Sequence, residues 1–159
     1  MDFPSKYKRS FTPKLAWDFA SLMEKQAAPV YEQFGLTIPV ITSSTLCLIA
    51  EYKKASLLEV ASALKISHQL AAQRVKTLLQ LGIISTEKDQ SDKRRTYYSL
   101  TAKGRKQNKL LNGYLIKAER AVLALNQELG IYLMQLLVKV NQSFSKLSLY
   151  QRISGEEEY

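Results

Sequence analysis

Apolar positions along the chain recur with a helical period over the first half, switch briefly to a strand-like pattern, and then return to a helical period. Leu15, Phe19, Leu22, Met23, Val30 and Phe34 stand at helical intervals and Gly35 follows them, which predicts a long first helix over about 14–34, with a kink expected near Pro29 where an N–H is missing. After the extended piece Thr37-Ile38-Pro39-Val40, the spacing of Leu46, Ile49, Ala50 and Lys53 predicts a short, well-buried second helix over about 43–53. Ser56-Leu57-Leu58-Glu59 has the form of a capping box, in which hydroxyl and carboxylate satisfy the orphan N–H groups of a helix start, so a third helix is expected over about 57–64. Lys65-Ile66 leaves room only for a tight connection. Ser67 is then a good N-cap for a fourth helix that carries Leu70, Ala71, Val75, Leu78 and Leu79 on one side and stops at Gly82. Two short helices joined this closely are a helix-turn-helix.

Beyond Gly82 the period changes. Ile83-Ile84-Ser85-Thr86 and Thr96-Tyr97-Tyr98-Ser99-Leu100 are rich in β-branched and aromatic residues and enclose a polar stretch, Glu87 to Arg95, which predicts a hairpin with a charged tip. Thr101 can cap a further helix. From Leu110 to Leu125, and again from Leu129 to Leu147 with a break at Gly130, apolar residues become so dense that each helix needs cover on nearly all sides. A helix-turn-helix of about 60 residues cannot supply that cover, and a partner subunit is the economical source of it. The architecture expected is mainly α with a small β-hairpin: one domain over 1–159, in which a winged helix-turn-helix lobe (about 43–104) is flanked by long N- and C-terminal dimerisation helices (about 1–35 and 105–150).

Charge sharpens this picture. The 159 residues carry 23 basic and 14 acidic side chains, a net +9. Residues 65–109 hold 11 basic and 3 acidic of these, net +8, against +1 before them and zero after them. A membrane-seeking helix would set its cations opposite a strip of large apolar residues, whereas this stretch is broken by turns and strands, so a nucleic-acid footprint fits better. The remaining chemistry is thin. One histidine and one cysteine cannot build a zinc site or a disulfide within the chain, and no Gly-rich phosphate loop, Gly-x-Ser-x-Gly or His-Glu-x-x-His occurs, so neither an enzyme nor a cofactor is expected. The N-terminal residues have no signal-like apolar run, and a cytoplasmic protein without membrane association is expected.

Helix-turn-helix followed by a charged hairpin is a winged helix. Leu64-Lys65-Ile66-Ser67-His68-Gln69, the run to Leu81-Gly82-Ile83-Ile84, and above all Asp92-Lys93-Arg94 followed by Ser99-Leu100-Thr101-Ala102-Lys103-Gly104 resemble the multiple-antibiotic-resistance regulator (MarR) family. The resemblance implies a homodimer whose first and last helices form the interface. It implies binding to a near-palindromic double-stranded DNA operator close to a promoter, usually as a repressor, and in many members release by a small, often aromatic, effector held between the interface helices and the DNA-binding lobe. By position, Arg94 would be the wing arginine in the minor groove, Asp92 the carboxylate that orients the wing, and Gln69, Leu70, Ala72 and Gln73 the residues facing the major groove. Gln73 stands where an arginine is frequent in the family, and Leu70 where a small hydroxyl residue is usual.

Gln69 and Gln73 lie one turn apart, and a glutamine amide can pair bidentately with adenine N6 and N7. Ser67 and His68 at the helix start, with Lys76, Lys93 and Arg95, complete the expected DNA-binding set. Lys88, Lys103, Arg105 and Lys106 are read as neutralising phosphate or raising the local potential. Cys47 is read as packing, since a reactive thiol needs exposure and an electropositive neighbour and its place in the apolar second helix offers neither; the oxidant-sensing cysteine that some relatives carry near the start of the first helix has no counterpart there. Trp17, Tyr31 and Tyr52 could line an effector pocket but are read first as core aromatics. The function expected is a sequence-specific dimeric transcriptional regulator; an architectural protein that coats DNA with little sequence preference is the alternative, and the two glutamines favour the first.

Overall fold

Pro13 suits the first turn of a helix, where its fixed φ is already helical and its missing N–H has no partner to lose. In the computed structural model, which describes residues 11–89 and 95–155, that helix (α1) runs Thr12–Gln33 with Pro29 inside it. A single 3-10 turn, Val40–Thr42, leads into α2, Ser43–Tyr52. Then come β1 (Lys54–Ser56), α3 (Leu57–Leu64), α4 (His68–Gln80), β2 (Ile84–Lys88), β3 (Thr96–Leu100), α5 (Ala102–Leu129), α6 (Leu133–Lys146) and α7 (Leu149–Ser154). No single described helix is long and apolar enough to cross a membrane.

The helix-turn-helix elements fall where the spacing puts them. The hairpin becomes more than a hairpin, because β1 adds to β3 on the side away from β2 and makes a three-stranded antiparallel sheet in the order β1-β3-β2. Its register runs from Lys54 opposite Ser99 to Ser56 opposite Tyr97, and from Ile84 opposite Leu100 to Lys88 opposite Thr96. Three residues are too few to show an alternation, and these abut a capping box, so β1 has no signature of its own. The same turn ends α2 one residue earlier than expected, with Lys53 in the left-handed region at φ 64°. After the break at Gly130, α6 begins at Leu133 rather than at Leu129, and the short α7 was not expected.

The chain divides into two compact units, one up to Tyr114 and one from Leu115. In the first, Leu46, Ile49, Val60, Leu78, Ile83 and Leu111 are fully buried, each contributing about 1.5–3 kcal/mol of apolar transfer. Tyr31 and Phe34 meet the edge of the Tyr114 ring at 4.7 and 5.7 Å between centroids. In the second, Asn126 shapes the corner before α6: its side-chain oxygen accepts from the Leu133 N–H at 3.2 Å and its main-chain oxygen accepts from Ile131 at 3.1 Å. Neither α6 nor α7 has a buried residue. Met134 and Tyr150 are 68% and 78% exposed, so the apolar dress of this unit is uncovered in the single chain.

The Leu-Thr-x-x-Gly segment has a local explanation. α4 ends in a Schellman turn, with Gly82 N–H on Leu79 O (2.9 Å), Ile83 N–H on Leu78 O (2.9 Å), and Gly82 at φ 66°, which an L side chain rarely adopts. The Thr101 hydroxyl donates to Gly82 O at 2.7 Å and accepts from Gly104 N–H at 3.0 Å, capping α5 onto that turn. Gly104 then sits so close that a Cβ there would lie 2.0 Å from the Ile83 carbonyl oxygen. Because the obstruction is backbone, Gly104→Ala is expected to cost at least the roughly 1–3 kcal/mol of an overpacked site, read as a lowered midpoint of urea unfolding with unchanged slope. An unchanged midpoint would mean that α5 does not rest on this carbonyl.

Candidate nucleic-acid interface

The two helices of the helix-turn-helix are set by their ends. At the start of α3 the Ser56 hydroxyl accepts from Glu59 N–H at 3.3 Å, while one Glu59 carboxylate oxygen accepts from the Ser56 N–H at 2.6 Å and its hydroxyl at 2.7 Å. These hydrogen bonds from Ser56, with a smaller contribution from Arg95, hold the Glu59 carboxyl below its ordinary pKa. α3 ends with Lys65 in the left-handed conformation, its N–H on Ser62 O (3.2 Å) and Ile66 N–H on Ala61 O (3.0 Å). Ser67 then caps α4, accepting from Leu70 N–H at 3.2 Å.

With about 100° between successive residues, Ala71, Val75 and Leu78 share one side of α4, and all three are buried. Gln69, Gln73 and Lys76 fall on the opposite side and are exposed, as are Ser67 and His68; Leu70 and Ala72 are half-buried on the flanks. Seven of the expected residues thus lie on α4 or its cap, and the neutral amides lead outward. Arg95 is exposed at the base of the hairpin, whose closing bond runs from Asp89 N–H to Arg95 O at 3.0 Å. Asp92, Lys93 and Arg94 lie outside the described residues.

Several cations turn toward the protein. The Lys103 ammonium donates to Leu81 O at 2.8 Å, adding positive charge at the C-terminal end of α4, and the Arg105 guanidinium donates to Leu100 O at 2.9 Å. Arg74, which the sequence did not single out, is half-buried on α4 and donates to the Ser44 hydroxyl of α2 at 3.3 Å. Its position between the apolar and amide faces was the available signal. Cys47 is half-buried against the core, and burial, then the Glu51 carboxylate, push its thiol pKa up, which suits packing.

A cleft of about 390 Å³ lies between the end of α1, residues 36–40 and the end of α4, lined among others by Tyr31, Leu36, Ile38, Thr77 and Leu81. Of the three aromatics weighed for such a place only Tyr31 lines it, its hydroxyl 2.7 Å from that of Ser43. Trp17 (69% exposed) and Tyr52 (47%) are neither there nor in the core of this chain, which corrects the reading of them as core.

Ser56→Ala should lower stability by about 1 kcal/mol at neutral pH through loss of the cap. A carboxyl with a lowered folded pKa stabilises above its unfolded pKa and loses that contribution as pH falls through the folded value, so the gap between the variant and wild type should narrow below about pH 4. Urea titrations at pH 7 and in acid check both; a gap independent of pH would contradict the Ser56–Glu59 coupling.

Residues 46–104 match a family model described as a winged helix DNA-binding domain. Among solved structures, the S. aureus MepR–DNA complex superposes with a TM-score of 0.68 at 19% identity, covering 86% of this chain and 98% of that one. The transcriptional regulator SlyA gives 0.65 at 16% identity over 83% and 95% of the two chains. The adhesin competence repressor AdcR from Streptococcus pyogenes gives 0.58 at 18% identity over 84% and 96%. No curated protein matches by sequence. By fold, therefore, the chain is a winged-helix protein like these regulators, and its residues 46–104 match a winged helix DNA-binding domain.

Proposed function

We propose that the chain is a homodimeric, sequence-specific, cytoplasmic DNA-binding transcriptional regulator. In this reading it represses a nearby promoter from a near-palindromic operator and is released by a small aromatic effector. The observation that carries the proposal is the outward side of α4, where Gln69 and Gln73 stand one turn apart and exposed while the opposite side is buried. Uncharged amides gain little from phosphate and much from a matched base edge. Their exposure on a capped helix of a winged helix suits major-groove readout. Lys76 and His68 then meet phosphate, Ser67 sets the helix start, and Leu70 and Ala72 give apolar contact to bases.

The hairpin is the wing. In this reading Arg94, outside the described residues, is the wing arginine for the minor groove, and Asp92, two residues earlier in the sequence, is the carboxylate that orients it. Lys93 and Arg95 flank it. The MepR structure is a DNA complex, and that of PefR from Streptococcus agalactiae holds heme. For the present chain, the cleft beside Tyr31 is the place for an effector, since its apolar side chains and single phenol suit a small aromatic molecule.

A second copy of the chain is the cover for the uncovered helices. Leu115, Leu123, Leu136, Val140 and Phe144 are each 40% or more exposed in the single chain. Residues about 1–35 and 105–150 form the dimer interface, in the class of roughly 2,000 Å² or more. Sedimentation should show a dimer at micromolar concentration, and a folded monomer would contradict this.

DNA titrations at several salt concentrations, with operator and scrambled duplexes, separate reading from positioning. Arg94→Ala should weaken both duplexes and flatten the salt dependence by about one unit of slope per wing. Gln73→Ala should leave the slope alone and cost about 1–3 kcal/mol on the operator only. Equal loss on both duplexes with Gln73→Ala would favour a protein that coats DNA without reading it.

A further inference from the structure

The cleft beside α4 has two walls, and both are tied to one helix. One wall is the segment after α1, and the buried side chain of Gln107, only 5% exposed, holds it with both ends of its amide: Nε2 donates to Gly35 O at 3.1 Å, and Oε1 accepts from Thr37 N–H at 2.7 Å. The other wall is the C-terminal end of α4, held by Lys103 on Leu81 O and by Thr101 on Gly82 O. Thr101 and Gln107 are six residues apart, about 9 Å along a helix. The first turns of α5 are therefore a short strut that fixes the segment 35–37 and the end of α4 relative to each other.

We propose that Gln107 is a positioning residue for DNA readout: by clamping Gly35 and Thr37 to the α5 turns that hold the end of α4, it sets the orientation in which α4 is presented. This rests on the reading of α4 as the base-reading helix. The clamp needs one donor and one acceptor at fixed places, and no single bond substitutes for the pair. With the clamp intact, α4 is pre-organised, and little orientational freedom remains to be lost on binding. Without it, the loop is left with apolar packing alone, Phe34 against Tyr114 of α5, and α4 keeps its caps and its core but loses the polar fix on its angle. The uncharged amide also makes the clamp indifferent to pH, which the test exploits.

Gln107→Glu retains the shape and makes the donor conditional. Protonated, the acid O–H can donate to Gly35 O while its carbonyl accepts from Thr37; ionised, it has no donor and faces the Gly35 carbonyl with negative charge. Gln107→Met fills the space with neither donor nor acceptor. Each is titrated against the duplex that wild type selects from a random pool and against the same half-sites with one base pair inserted between them, from pH 8 down to pH 5.5. Affinities are expressed relative to wild type at each pH, and helical circular dichroism is followed in parallel. At pH 8 both variants should remain helical, bind the selected duplex on the order of tenfold more weakly, and discriminate less against the inserted base pair. Towards pH 5.5 Gln107→Glu should recover affinity and spacing preference together, whereas Gln107→Met should not change. Three results overturn the inference: folded variants that bind as wild type does at pH 8, Gln107→Glu that fails to recover, or binding lost only in step with the helical signal, which makes Gln107 a stabiliser and nothing more. A wild type that selects no sequence overturns the reading of α4, and this inference with it.

Discussion

The close approach of α5 to the Ile83 carbonyl is the constraint on which the rest of the DNA-binding lobe depends. It is possible only because position 104 lacks a Cβ, which would otherwise lie 2.0 Å from that oxygen. From this contact Thr101 caps α5 while donating to Gly82 O, and Lys103 reaches the last carbonyl region of α4. The end of α4 is thereby fixed from outside its own helix, in addition to the Schellman turn at Gly82. Both ends of α4 are thus held, one by Ser67 and the other by the first turn of α5.

Charge and readout divide differently in the fold than along the chain. Residues 65–109 concentrate a net +8, yet Lys103 and Arg105 donate to main-chain carbonyls and Arg74 to Ser44. The geometry of these groups is committed inward. The outermost side of α4 carries Gln69, Gln73, Lys76 and Gln80, three neutral amides and one cation. That distribution suits a protein drawn to DNA by its overall field and oriented on it by a few specific groups.

The sequence made the helix-turn-helix legible because its signals are local: a capping box at Ser56 and Glu59, a cap at Ser67, a left-handed stop at Gly82 and a helical apolar period between them. β1 was not legible, since three residues between a left-handed Lys53 and a capping box show no alternation and pair only with the distant β3. Trp17 and Tyr52 misled because helical spacing reports that a face is apolar without saying whether its cover comes from the same chain. The inward cations were missed for a related reason: a lysine two residues into a helix looks the same in sequence whether it meets water, phosphate or a carbonyl brought near by a turn of chain some twenty residues away. Gln107 carried no signal at all, being a polar residue in a basic stretch whose two partners lie 70 and 72 residues away.

In the proposed function α4 reads sequence on behalf of a symmetric pair of chains. Selection of bound duplexes from a random pool, at stated salt, tests it most directly. The expected result is a near-palindromic consensus with half-sites about one helical turn, roughly 10 base pairs, apart, and with adenine prominent where Gln69 and Gln73 would lie. Recovery of DNA with no consensus, held only by a salt-dependent affinity common to all sequences, would contradict it.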